Sequence, residues 1–302
     1  MATTNPPHDF PLERTVPGPR SLASAPTQVV APPLACDAHC HVFGPAGQFP
    51  FSPNRKYTPP DSGIDDFERL QSTLGLQRAV FVQASCHGTD NSAMLDAIQR
   101  GNGRYGGVAM IDESYTDADL AMLHENQVRG IRFNFVAHLG GAPDMEVFWR
   151  LVNRVAPLGW HIVLHMDAKD FSTYEAVLDE MPVPYIIDHM ARVPAADGVD
   201  QEPLQLLLNR MRTDDKCWVK ISCAERLTEG KVAPFHDVIP IAQAVVEAAP
   251  NRILWGTDWP HPNMAEMPDE GALLDLLGQI VPDETTRNMI LVDNPQVLYD
   301  FH

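Results

Sequence analysis

Short apolar runs alternate with amphipathic segments along this chain. Eight of the runs are predicted to be strands, at residues 35–43, 78–85, 106–112, 128–135, 161–167, 185–190, 217–222 and 252–258. Helical periodicity fills the segments between them, at residues 65–74, 91–100, 117–125, 144–156, 171–180, 202–212 and 235–249, and again at 270–280 and 284–299. Eight strands that alternate with helices predict an α/β protein, a single (β/α)8 TIM barrel. A doubly wound sheet is the alternative, but no glycine-rich phosphate-binding motif follows any run.

The first 33 residues differ from the rest because they contain eight of the 27 prolines and no sustained apolar period. They are predicted to form an extended proline-rich arm, residues 1–33, in front of one catalytic domain, residues 34–302. The arm lacks the apolar stretch of a signal peptide, and nothing later approaches about 18 consecutive apolar residues. The five cysteines include no Cys-x-x-Cys pair, which is typical of reduced thiols. We therefore expect a cytoplasmic protein that does not enter a membrane.

The 22 basic and 40 acidic residues give a net charge of −18. Such a field repels phosphate backbones, so nucleic-acid binding is not expected. It would also repel an anionic metabolite unless basic residues gather at the binding site. Because like charge also opposes self-association, we expect a monomer or at most a homodimer.

Polar side chains collect where the predicted strands end. They are His39 and His41, Ser85 and His87, Arg132 and Asn134, His165 and Asp167, His189, and Asp258. A lone histidine in such a place is more often structural than functional, but active sites of these barrels form at the carboxyl ends of the strands. The convergence of so many polar residues therefore predicts an active site at this end of the barrel.

The first and last strands carry the strongest chemical signal. His39 and His41 are two residues apart, so in a strand they point to the same face, and Cys40 points away as a packed thiol. With Asp258 they suit a divalent metal that keeps an open position for water. The same groups also serve without metal, as a base and as donors to an oxyanion. Both routes predict hydrolysis of an activated carbonyl.

Three arginines near strand ends offset the negative net charge. Alternation places Arg132 on the face opposite Phe133, and Arg192 and Arg226 follow the sixth and seventh strands. A substrate carboxylate or sulfonate would supply the bidentate partner that a buried guanidinium requires. Internal salt bridges are the alternative for each arginine alone, but three together favour an anionic substrate.

These segments resemble the amidohydrolase superfamily, and within it the branch that contains 2-pyrone-4,6-dicarboxylate lactonase. The matching runs are residues 37–45, 83–91, 129–135, 187–190 and 255–263. The resemblance implies a lactone hydrolase of bacterial aromatic-compound degradation, in which Asp258 is the general base and His39, His41 and His189 polarise the carbonyl or hold a metal. It also implies a substrate-binding set, which comprises Tyr57, Ser85, Arg132, His165, Arg192, Arg226 and His261.

Two departures from the pyrone lactonases change the expected substrate and cofactor. His165 stands where they have tyrosine, at a position where metal-dependent relatives place a ligand, and Ala137-His138 replaces their Lys-Arg pair. We therefore expect one divalent ion, zinc or manganese, among His39, His41, His165, His189 and Asp258, with metal-free catalysis as the alternative. The same changes favour 4-sulfomuconolactone, hydrolysed to maleylacetate and sulfite, over 2-pyrone-4,6-dicarboxylate.

Two other functions remain open from the sequence. The same branch contains non-oxidative decarboxylases with similar histidine and aspartate motifs, so release of carbon dioxide is a rival reaction. Binding of an anion without turnover is the other alternative, although the complete set of histidines and the aspartate favours an enzyme.

Overall fold

The computed structural model describes residues 15–229 and 233–301. Eight parallel strands pair in the order of the sequence, each with the next. They are β1 Cys36–Cys40, β2 Arg78–Val82, β3 Tyr105–Ala109, β4 Val128–Asn134, β5 His161–His165, β6 Tyr185–Ile187, β7 Cys217–Ile221 and β8 Ile253–Trp255. This order confirms the predicted (β/α)8 barrel.

Helices follow the strands and cover the barrel. They are α1 Ile64–Leu74, α2 Ser92–Arg100, α3 Asp117–Glu125, α4 Met145–Val155, α5 Glu175–Asp179, α6 Glu202–Thr213, α7 Ala224–Leu227, α8 Ile239–Ala248, α9 Glu270–Ile280, α10 Glu284–Asn288 and α11 Asn294–Tyr299. Helix α4 illustrates why these segments are helical. Asp144 caps its first turn through Glu146 N and Val147 N, and one apolar stripe of the helix is buried.

Two predicted helices differ in detail from the structure. The segment predicted at residues 171–180 begins within a 3₁₀ helix, Ala168–Tyr174, and is α-helical only over α5. The segment predicted at 284–299 is interrupted by a π turn, Met289–Asp293, immediately before Pro295. Proline has no N–H to donate to the preceding turn, and a π turn accommodates this loss.

Apolar side chains pack in two layers, one outside the strands and one inside the barrel. The outer layer lies between strands and helices and includes Ala79 and Phe81 of β2. Their neighbours Val80 and Val82 belong instead to an inner cluster, which Tyr299 and Phe301 from the C-terminal segment complete. Since the inner cluster fills the barrel, the polar ends of the strands are left to form the site.

The first and last strands meet at a seam that is unlike the other strand junctions. In the part of the chain that the structure describes, β8 and β1 form no continuous ladder, and single contacts join them instead. Asp258 N donates to His39 O at 2.8 Å and His41 N donates to Trp259 O at 2.7 Å. The Asp37 carboxylate accepts from Thr257 N at 3.1 Å and Thr257 Oγ1 at 2.6 Å. The segment that carries His39 and His41 and the segment that carries Asp258 are therefore hydrogen-bonded directly to each other.

Residues 15–33 of the predicted arm lie against the barrel, whereas residues 1–14 lie outside the described residues. Asp275 of α9 accepts four hydrogen bonds from the arm, from Thr27 N, Thr27 Oγ1, Gln28 N and Val29 N. Gly271 allows the close approach, since a Cβ there would lie 2.0 Å from Ser24 O. Among the helices described, none is long and apolar enough to cross a membrane.

Candidate active site

His39 and His41 lie side by side at the end of β1, as alternation predicted. Both are buried, and their ring centroids are 5.1 Å apart. His41 Nδ1 donates to Val82 O at 2.7 Å, which holds the ring with Nε2 directed into the site. That Nε2 lies 3.2 Å from Asp258 Oδ1.

Asp258 is the centre of the site, and its two carboxylate oxygens have different neighbours. Oδ1 faces three imidazole nitrogens, His39 Nε2 at 3.4 Å, His41 Nε2 at 3.2 Å and His189 Nε2 at 4.0 Å. Oδ2 accepts from Arg226 Nη2 at 2.8 Å. Burial alone would raise the pKa of Asp258, but Arg226 and the neighbouring histidines hold it well below its usual value. Asp258 is therefore a carboxylate at neutral pH.

His189 lies on a left-handed turn that follows β6. The four residues His189–Arg192 have φ between 51° and 54°, a conformation that costs L-residues roughly 1–2 kcal/mol each. Such local strain is concentrated at functional sites. The turn brings His189 to the barrel axis, where its Nδ1 shares a 2.7 Å hydrogen bond with Ser222 Oγ.

Three imidazoles of the site, those of His39, His165 and His189, are neutral at physiological pH. Burial lowers the pKa of His189 to about 4, and burial likewise holds the pKa values of His39 and His165 well below their usual value. His165 Nδ1 donates to Asn134 Oδ1 at 3.2 Å, and its ring centroid is 5.4 Å from that of His189. Neutral imidazoles retain a lone pair for a metal or a proton.

A buried ion cluster behind His39 contains two residues to which the sequence analysis gave no role. Asp188 Oδ2 accepts from Arg132 Nε at 3.1 Å, and Asp188 Oδ1 lies 3.4 Å from both Lys220 Nζ and His39 Nδ1. Lys220 Nζ is also 3.0 Å from His39 Nδ1. A lysine inside the apolar strand segment Cys217–Ile221 is the signal that could have identified this cluster.

One pocket brings most of the predicted site residues together. Its predicted members are His41, Tyr57, Ser85, Arg132, His165, His189, Arg226 and Asp258, and its other lining residues are Ala84, His138, Leu139, Pro262 and Asn263. His39 is fully buried behind Asp258.

Two predicted substrate-binding residues do not line this pocket, so their assignment stays a prediction. Arg192 Nη1 lies 3.3 Å from Asp167 Oδ1 and 3.5 Å from His138 Nδ1, beside the pocket. His261 is fully buried, with Nε2 3.1 Å from Glu270 Oε1 and Nδ1 3.7 Å from Glu225 Oε1.

The donor atoms around Asp258 Oδ1 fit a divalent cation. Two ligands that are each about 2.1 Å from a tetrahedral ion lie about 3.4 Å apart, which matches the spacing from Oδ1 to His39 and His41. His41 Nε2 and Asp258 Oδ1 face each other at 3.2 Å, so a cation placed between them would be held by both atoms. Within the described ranges His39 Nε2 has no hydrogen-bond partner, so it is available as a ligand.

His165 stands apart from this donor group. Among the described residues, His39, His41 and Asp258 have ligand atoms within 4.8 Å of one another, as do His189, Cys223 and Asp258. His165 belongs to no such set. Its role as a fifth ligand therefore stays a prediction, whereas its position in the pocket suits contact with a substrate.

Comparison with known proteins adds independent information. The sequence model of the amidohydrolase family matches residues 36–301. The chain is 44% identical over 280 residues to a 2-pyrone-4,6-dicarboxylate hydrolase of Comamonas testosteroni, covering 90% of this chain and 92% of that protein. It is 40% identical over 286 residues to a 4-sulfomuconolactone hydrolase of Rhizobium radiobacter, covering 93% and 95%.

A solved structure shares the whole architecture. The crystal structure of a probable 2-pyrone-4,6-dicarboxylic acid hydrolase from Acinetobacter baumannii, with citric acid bound, superposes with a TM-score of 0.77 at 27% identity. The match covers 89% of this chain and 100% of that one. On the sequence model and these relatives together, the chain belongs to the amidohydrolase family.

Proposed function

We propose that this protein hydrolyses a small dianionic lactone formed during the breakdown of aromatic compounds, with 4-sulfomuconolactone as the first candidate substrate. The observation that carries the proposal is the environment of Asp258. A buried carboxylate has one oxygen directed at three imidazoles and the other held by a guanidinium. This arrangement suits the activation of water beside a polarised carbonyl.

The roles of the residues follow from this geometry. Asp258 accepts the proton of the attacking water through Oδ1, because Arg226 occupies Oδ2. The water oxygen bonds to the carbonyl carbon, the ring C–O bond breaks, and the proton passes to the departing oxygen. His41 and His189 keep fixed orientations through Val82 O and Ser222 Oγ, so they lie ready beside the carbonyl oxygen.

We assign His39, His41, His189 and Asp258 as the residues that hold one divalent ion, zinc or manganese. Such an ion supplies Lewis acidity to the carbonyl and lowers the pKa of the bound water. Elemental analysis of the purified protein tests this assignment. About one equivalent of metal, with activity lost on chelation and restored on readdition, is expected. Full activity in metal-free protein would favour the alternative in which histidines alone stabilise the oxyanion.

Local charge supports an anionic substrate in spite of the net charge of −18. Arg132 and Arg226 line the pocket, each with a buried carboxylate as its partner. A guanidinium at the pocket wall can also pair with a substrate carboxylate or sulfonate. Tyr57, Ser85, His165 and Arg192 remain proposed substrate contacts.

The second candidate substrate is 2-pyrone-4,6-dicarboxylate. The relative named for that substrate has the higher identity, 44% against 40%. In favour of the sulfonated lactone, His138 lines the pocket at the position where the resemblance predicts a second basic group. Paired ultraviolet rate assays with both lactones decide between them, and detection of released carbon dioxide would instead indicate a decarboxylase.

Asp258→Asn tests the mechanism itself. The amide oxygen can still accept from Arg226, so the fold is expected to persist, whereas loss of the base should lower kcat by about 10²–10⁴. Asp66→Asn is a matched control, since Asp66 is half-exposed, pairs with Arg69 and does not line the pocket. Near-normal turnover by the Asp258→Asn protein would contradict the role of Asp258.

We also propose a cytoplasmic location and a monomer or homodimer. All five cysteines are buried and unpaired, which supports a reducing compartment. Light scattering of the purified protein measures the oligomeric state directly.

A further inference from the structure

A row of buried charged residues lies behind Asp258, outside the pocket. Glu225 is fully buried, and within the described residues neither of its carboxylate oxygens has a hydrogen-bond partner. The charged atoms nearest to its Oε1 are His261 Nδ1 at 3.7 Å and Arg226 Nε at 3.8 Å. A buried carboxylate with such loose contacts is costly, so its presence calls for an explanation.

The row alternates in sign along its length. His261 Nε2 lies 3.1 Å from Glu270 Oε1, and both residues are buried. Burial alone would lower the pKa of His261, but pairing with Glu225 and Glu270 raises it to about 9, so the ring is an imidazolium. The contacts therefore run, with alternating sign, from Glu270 through His261, Glu225 and Arg226 to Asp258, and His261 also has a ring nitrogen within 4.8 Å of an Asp258 oxygen.

Arg226 is the member of this row that contacts the reacting carboxylate. Its Nη2 donates both to Asp258 Oδ2 at 2.8 Å and to Pro262 O at 2.7 Å. These two hydrogen bonds set the rotation of the carboxylate about its Cβ–Cγ bond and so direct Oδ1 at the histidines. The opposite side of the guanidinium, at Nε, faces Glu225.

We infer that Glu225 and His261 are positioning residues, which hold Arg226 in the orientation that presents Asp258 Oδ1 to the attacking water. The inference rests on the proposed function, because it extends the role of Asp258 in hydrolysis. It also gives His261 a role that differs from the predicted one: the residue acts through Glu225 and Arg226 and does not touch the substrate.

Loss of the charge on Glu225 should change turnover more than substrate binding. In Glu225→Gln the guanidinium loses the negative charge that faces its Nε and can rotate, which misdirects Asp258. Misplacement of a reacting group by about 1 Å costs as much as about 100-fold, so kcat should fall by about 10- to 100-fold while KM stays within about threefold. Glu202→Gln is the matched control, since Glu202 lies at the exposed start of α6.

A double-mutant cycle separates positioning from a general structural role. Glu225→Gln, Arg226→Gln and the double variant are compared in kcat. If Glu225 acts through Arg226, the double variant should be no slower than Arg226→Gln alone. Multiplication of the two single effects would overturn the inference, as would an equal loss in the Glu202→Gln control.

A crystal structure of the Glu225→Gln protein provides a readout that needs no substrate. The inference expects the contact between Arg226 Nη2 and Asp258 Oδ2 to lengthen beyond hydrogen-bond range, about 3.5 Å. A contact that stays at 2.8 Å, as in the wild-type chain, would overturn it. Failure of the wild-type protein to open either lactone would refute the proposed function, while this structure would still test the positioning.

Discussion

The seam between β1 and β8 makes Asp37 a residue on which both the fold and the site depend. One oxygen, Asp37 Oδ1, accepts from His39 N and from Thr257 N, each at 3.1 Å. The other accepts from Thr257 Oγ1 at 2.6 Å. Asp37 is fully buried, so water cannot replace these bonds when the carboxylate is removed.

Comparison of Asp37→Ala with Asp37→Asn isolates the hydrogen bonds from the charge. Both changes remove the negative charge, but asparagine keeps an Oδ1 acceptor for the two amides. Alanine leaves two buried N–H groups without this acceptor, at about 1–3 kcal/mol each, so it should be less stable than asparagine by about 2–6 kcal/mol. For a chain of this size that difference lowers Tm by about 4–12 °C.

Thermal unfolding of the two variants, together with turnover, measures this prediction. The Ala variant should also be the slower enzyme, because a loosened seam moves Asp258 relative to His39, whose carbonyl accepts from Asp258 N. If the two variants melt within about 1 °C of each other, the seam does not depend on the Asp37 oxygens and the reasoning fails.

Three further predictions follow from other contacts. Gly256→Ala should lower the free energy of unfolding by about 1–3 kcal/mol and also lower kcat, because the new Cβ would lie 2.5 Å from His39 N. Gly47→Ala is the control in the same thermal assay, because a Cβ at Gly47 would meet nothing within 4 Å. Asp275→Ala should speed limited proteolysis of residues 15–33 by about tenfold or more, while Asp275→Asn, which keeps an acceptor, should have a smaller effect. Burial lowers the pKa of His161 from 6.5 to about 3. As pH falls below about 6.5, His161 is therefore protonated in the unfolded chain but stays neutral in the native protein. Stability should therefore decline between about pH 6.5 and pH 4, and His161→Phe should make that decline shallower in melts across the same range.

The sequence predicted the barrel, but it placed the ends of several strands too far along the chain. The predicted strand at 185–190 ends at Ile187, and the one at 252–258 ends at Trp255. In both cases the missing part contains a site residue, His189 or Asp258, with a left-handed backbone. Alternation of apolar residues cannot reveal this change of conformation, because it follows the side chains and not the backbone.

The arginine segment shows what alternation can and cannot determine. Phe133 and Phe135 pack against Phe148 of α4, with ring centroids 4.7 and 5.9 Å away, and Arg132 lies on the opposite face and lines the pocket, as predicted. The partner of Arg132 could not be predicted. Asp188 is 56 residues away in the chain and meets Arg132 only because β4, β5 and β6 are consecutive in the barrel.

The positions of the site residues divide the barrel into two sectors, which explains why identity alone does not settle the substrate. His39, His41, His189, Arg226 and Asp258 come from β1 and from the ends of β6, β7 and β8, and these groups surround the carboxylate. His138 and His165 come from the ends of β4 and β5, and their ring centroids are 6.2 Å apart. We propose that a change of lactone requires new contacts to the ring substituents from the β4–β5 sector and no change in the groups around Asp258. Overall identity averages both sectors, so a relative at 44% and another at 40% can share the same catalytic groups and still differ in substrate. We therefore expect the choice between the two lactones to depend on His138 and His165, two of the pocket-lining positions where the sequence departs from the pattern expected of the pyrone lactonases.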